Sequence, residues 1–99
     1  MEVRGSFMEV ATLYRYKDLK ASLAERLGRE NIPTSTLSRW MQHLEYEKGE
    51  PGRKRWWELE DLFALYCFGK CLSLGYRAEE ARTITSKQVK IWRVTQQWH

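Results

Sequence analysis

Long apolar runs are missing from this chain of 99 residues. None approaches the ~20 consecutive apolar positions needed to span a bilayer, so no membrane partner is expected. The amino terminus also lacks a charged segment followed by an apolar core, the mark of a secretory signal, and a cytoplasmic protein is expected. Cysteine and histidine are scarce, two of each. Cys67 and Cys71, four apart, share one face of a helix, but a structural zinc takes four ligands, and His43 and His99 form no local motif with them. A disulfide is disfavoured in a reducing compartment. Both cysteines are therefore expected to act as small buried hydrophobes, with neither metal nor cofactor. There is no Gly-rich phosphate loop and no nucleophile beside a base, so no enzyme is expected. Repeats and low-complexity segments are lacking too.

What the chain does have is aromatic mass and an uneven charge. Five Trp and 42% apolar residues suffice for one small core. The net charge is +4, yet residues 1–50 balance at eight basic and eight acidic, whereas residues 51–99 carry nine basic and five acidic. The positive surplus thus lies in the second half. Met1-Glu2-Val3 recurs as Met8-Glu9-Val10, which offers Met8 as an alternative start, and residues 1–12 are expected to be an extension.

Glu50-Pro51-Gly52-Arg53 fits a type II turn, because Pro presets φ at the second position and Gly supplies a positive φ at the third. Arg53, Lys54 and Arg55 leave that turn together, so a hairpin over about residues 45–57 would carry three cations into solvent. Trp56 and Trp57 alternate along its return strand, so one should face the core and the other the surface.

A helix precedes this hairpin. Thr34 or Ser35 serves as its N-cap, with Pro33 barring an earlier start. At ~100° per residue, Leu37, Trp40, Met41 and Leu44 fall on one side. Ser35, Ser38, Arg39 and Gln42 fall on the other, with Thr36 and His43 on the flanks. These polar side chains match base edges and phosphate oxygens of double-stranded DNA. A bland surface helix would also have a polar face, but the basic hairpin behind it favours DNA.

The stretch from Tyr16 to Thr85 resembles the DNA-binding domain of the MerR family. Ser35-Thr36-Leu37 opens the recognition helix as in that family. Arg55-Trp56-Trp57 followed by Glu58-Leu59-Glu60-Asp61-Leu62 follows its wing ending, and Gly75-Tyr76 with Glu79-Glu80 follows its next corner. The resemblance implies a recognition helix in the major groove and a wing Arg on the backbone alongside. Two departures leave the preferred DNA sequence open: Ser38-Arg39-Trp40 rearranges the usual aromatic pair, and the Gly28–Pro33 connection is long. About fourteen residues follow Thr85, which leaves no room for the family's usual sensor.

The expected fold is mainly α with a small β-hairpin wing: a winged helix-turn-helix of about four helices over residues 13–85. Tyr16, Leu19, Leu23 and Leu27 mark the first helix, ended by Gly28. Val10 to Tyr14 is a short strand or a docking segment. The third helix, about Leu59 to Leu74, is apolar nearly all round and must be covered on several sides. A short fourth helix follows from Ala78 to about Ile84. Residues 86–99 form a tail whose Val89, Ile91, Trp92, Val94 and Trp98 fit either helix or strand. Such a tail should dock, on its own domain or as a dimer contact.

The expected function is sequence-specific regulation of transcription, as a MerR-like repressor. A homodimer would occupy a promoter in a bacterial nucleoid and block RNA polymerase. Alternatives are an excisionase-like architectural factor that bends DNA, or a protein-interaction adaptor that has lost DNA binding.

Overall fold

The computed structural model describes residues 13–44 and 56–95. Helices take up 75% of these residues, and the rest of the regular structure is one two-stranded antiparallel sheet. The order is β1 (Leu13–Tyr14), α1 (Tyr16–Arg26), α2 (Thr34–His43), β2 (Trp57–Glu58), α3 (Leu59–Ser73) and α4 (Ala78–Thr95). The mainly helical class and the four helices expected from sequence are present. The 45–57 hairpin, with Arg53, Lys54 and Arg55, lies outside the described residues apart from its last positions.

The ends of the helices follow from local chemistry. Past α1, Gly28 has φ 71°, a left-handed conformation that costs glycine little. Its N–H donates to the Glu25 carbonyl at 3.1 Å and that of Arg29 to Ala24 at 2.9 Å, satisfying carbonyls the helix leaves open. Gly75, φ 98°, ends α3 with the same pair of bonds, from Gly75 to Leu72 and from Tyr76 to Cys71. At the amino-terminal ends, carboxylates reach back to the capping residue. The Glu58 N–H donates to Asp61 Oδ2 at 2.8 Å before α3, and the Arg77 N–H donates to Glu80 Oε1 at 3.0 Å before α4. Glu80 of the Glu79-Glu80 pair thus has a structural task. The start of α2 corrects one expectation: Pro33 is the cap residue, Thr34 is already helical, and no side chain caps the end.

The core is built around α3. Leu62, Leu65 and Phe68 are fully buried, as are Leu19 and Leu23 of α1, Leu37 of α2, and Ile32 in the connection between those helices. Burial of each such side chain stabilises the fold by about 1.5–3 kcal/mol. Ile32 explains how a long connection can still be fixed, since it anchors the chain just before α2. Trp40 packs edge-on to Phe68 with ring centroids 6.2 Å apart. Its indole needs the bare face of Gly69: a Cβ built there would lie 2.6 Å from Trp40 Cζ3 and 2.7 Å from Cη2.

The β1–β2 pairing sets Leu13 opposite Glu58 and Tyr14 opposite Trp57. One strand therefore lies just before α1, as the Val10–Tyr14 reading allowed. The period of two sends Trp57 into the core and Trp56 to the surface, 5% and 47% exposed. Trp57 meets the Tyr16 ring at 5.7 Å.

The fourth helix corrects the sequence reading most. It does not stop near Ile84 but runs unbroken to Thr95, so residues 86–95 continue the helix and no separate segment begins at Ser86. It lies along α3, where Ala81 and Thr85 are buried and Trp92 stacks on Phe63 at 5.9 Å. Arg93 completes the contact with a two-pronged pairing to Glu60, at 2.6 and 3.1 Å. This supplies the cover that the all-round apolar sequence of α3 requires: only Lys70 and Ser73 of that helix are exposed.

Candidate nucleic-acid interface

Helix α2 divides as its periodicity requires. Leu37 and Trp40 are buried and Met41 and Leu44 half-buried, all packed into the core cluster. That packing holds the opposite side in place. Ser35, Ser38, Arg39 and Gln42 are all exposed there, and Thr36 is half-buried on the flank. These four exposed side chains form one continuous strip along the helix, with a guanidinium, an amide and two hydroxyls as donors and acceptors.

His43, expected on the same surface, is placed differently. Its imidazole stacks on Phe68 with centroids 5.6 Å apart and planes inclined by 25°. It is half-buried and closes the end of the core beneath α2.

The amino-terminal end of α2 is tied to α1. Lys20 Nζ donates to Thr34 Oγ1 at 3.1 Å, across the long connection. The ammonium thus sits where the first-turn N–H groups of α2 leave positive charge. Beside it, the groove along α1 carries Lys17, Lys20 and Arg29 together with Glu25 and Glu30. Its charges nearly cancel, so it is no dedicated anion site.

A second cationic point lies at the root of the 45–55 segment. The Arg15 guanidinium lies 5.1 Å from the ring centroid of the outward Trp56, a stabilising cation–π arrangement. Sequence reasoning found Trp56 but missed Arg15. The signal was its place between strand and helix, opposite the outward position of a two-residue alternation.

The expected dimer residues separate. Trp92 is half-buried against its own chain's Phe63, and Val89 is half-buried, while Ile91 and Val94 are exposed. Trp98 lies outside the described residues. Trp92 therefore serves the intramolecular docking that sequence weighed against a dimer contact.

The thiols of Cys67 and Cys71 are free. Burial, reinforced by Cys71, pushes Cys67 up to about 11, and burial raises Cys71 as well. Both are poor nucleophiles and poor metal ligands while protonated. Among the described residues no group of three or more His, Cys, Asp or Glu could hold a metal ion, and no helix is long and apolar enough to cross a membrane.

No protein-family model, curated protein or solved structure matches this chain.

Proposed function

We propose that the chain is a sequence-specific DNA-binding regulator of the MerR type, a winged helix-turn-helix that represses by occupying a promoter as a homodimer. The observation that carries this reading is the exposed strip Ser35, Ser38, Arg39 and Gln42 on α2, backed by the buried Leu37 and Trp40. In this reading α1 and α2 are the helix-turn-helix, and α2 enters the major groove. Arg39 offers two parallel donors that suit guanine O6 and N7, and Gln42 suits adenine N6 and N7. Lys20 and the basic run Arg53, Lys54 and Arg55 would hold phosphates, contacts that set register and affinity without reading sequence. The end of the hairpin's return strand, with Trp57 locked in the core, would orient that run. His43 contributes to this surface only through the ring edge left by its stack on Phe68. RNA polymerase is excluded sterically, and the protein itself carries out no chemistry.

The test is an electrophoretic mobility shift with random-sequence duplex DNA, followed by selection of bound fragments from a genomic library. The expected result is salt-sensitive binding to all duplexes and enrichment of a defined site. Absence of any shift at low salt would rule out DNA as the partner.

A further inference from the structure

Past Glu80, α4 carries no acidic residue, and its charged side chains up to Thr95 are Arg82, Lys87, Lys90 and Arg93. All four are exposed. Arg93 is taken up by its pairing with Glu60, and it lies in the last turn, where a helix favours cations. That dipole effect fades within a turn, so it does not account for Arg82, Lys87 and Lys90. These three line a shallow groove along the helix with Thr83, Ser86 and one acid, Glu79. The Thr83 hydroxyl is turned inward, donating to the Glu79 carbonyl at 3.2 Å. Apolar surface adjoins the cations. Ile91 and Val94, 54% and 85% exposed, follow Lys87 and Lys90 by four residues, so each lies beside a lysine.

The position of α4 separates this side from the α2 strip. On α3, Phe68 and Gly69 meet Trp40 of α2, whereas Glu60 and Phe63 meet Arg93 and Trp92 of α4. At ~100° per residue those two pairs of α3 positions are about 160° apart. Helices α2 and α4 thus flank α3 on opposite sides, and their exposed faces look away from each other. A duplex seated on α2 leaves the basic side of α4 uncovered.

We propose that this side of α4 receives an acidic segment of another protein. Its carboxylates would meet Arg82, Lys87 and Lys90, and its apolar side chains would cover Ile91 and Val94. Charge complementarity selects an acidic partner, and the apolar residues select a protein among acidic partners. A phosphate backbone would use the cations alone and leave Ile91 and Val94 in water. The apolar contacts supply affinity, while the exposed ion pairs mainly steer and orient the segment. This partner goes beyond the DNA reading, and the site stands whether or not α2 enters a groove.

Amide chemical shifts of the full chain, titrated with a synthetic peptide of Glu and Leu, test it. The peptide carries Leu at three- and four-residue spacing, so that a helix shows one acidic and one apolar side. Shift changes should centre on Arg82–Val94. Lys87→Glu with Lys90→Glu should raise the peptide's dissociation constant at least about tenfold, with helix content by circular dichroism unchanged. Arg39→Ala should leave it as in wild type, and a peptide with Ser in place of Leu should bind more weakly. No binding, shifts centred on Arg53–Arg55, or equal binding of the Ser peptide would each overturn the proposal. Shifts in Arg82–Val94 that follow protein concentration without peptide would give the side to a second copy, and the same shifts on adding random-sequence duplex would give it to nucleic acid; either result overturns it too. The two ideas fail separately. A chain that takes the peptide on α4 and binds no duplex keeps this site and sinks the DNA reading, and one that binds duplex but no peptide does the reverse.

Discussion

Gly69 and the cysteines show how closely single side chains are fitted in α3. The Trp40 indole occupies the space a Cβ would need at Gly69, and Leu27 Cδ1 is only 3.0 Å from that point. An indole on a packed helix cannot turn aside as a flexible side chain would. Gly69→Ala should therefore destabilise the fold by about 1–3 kcal/mol despite the better helix propensity of Ala, read as a lower urea midpoint. An unchanged or higher midpoint would mean that α2 slides freely on α3. Two residues before Gly69, the Cys67 thiol is held up to about 11 from an ordinary 9.0. The folded chain thus keeps a proton that the unfolded chain loses between these values. Its contribution leaves stability untouched below pH 9 and lowers it as pH rises from about 9 to 11. A Cys67→Ala variant should show a smaller loss over that window than wild type. The same cause predicts slow alkylation of Cys67 at neutral pH, measured against the unfolded chain.

Element by element, the sequence was most legible where one periodicity operated alone. Leu37, Trp40 and the strip from Ser35 to Gln42 declared the two sides of α2, and Gly28 and Gly75 declared where helices stop. Alternation was enough to separate Trp56 from Trp57. It failed at Ser86–Thr95, where the β-branched run Val89, Ile91 and Val94 allowed a strand. What decides for helix is tertiary: Trp92 reaches Phe63 and Arg93 reaches Glu60, partners about thirty residues back that no local pattern can announce. The same long-range packing decides what covers the apolar α3 surface, and it drew His43 onto Phe68. The second half of α4 is consequently structural. Trp92→Ala should cost about 2–3 kcal/mol, below the range for a fully buried Trp because the ring is half-exposed. Removal of residues 86–99 should lose more, since it also bares Phe63 and unpairs Glu60. Thermal unfolding checks both, and a truncated chain as stable as the intact one would contradict this packing.

Taken whole, the molecule sets a rigid polar helix face on one side of its core and a basic-sided helix, α4, along α3. Its net charge of +4 comes from residues 51–99, so the field that would draw in a polyanion belongs largely to that half. Attraction of this kind acts on every duplex alike and fades with salt; in the proposed reading, discrimination would come from the α2 strip. The central claim is therefore that Arg39 reads a base while the basic run holds the backbone. The most direct measurement compares wild type, Arg39→Ala and Lys54→Ala by fluorescence anisotropy on the selected duplex and on a scrambled one, across a salt series. Arg39→Ala should lose ~1–3 kcal/mol on the selected duplex, with little change on the scrambled one. Lys54→Ala should weaken both duplexes about equally and flatten the salt slope by about one unit. If Arg39→Ala binds and discriminates the two duplexes as wild type does, α2 is not the reading helix and the account is wrong.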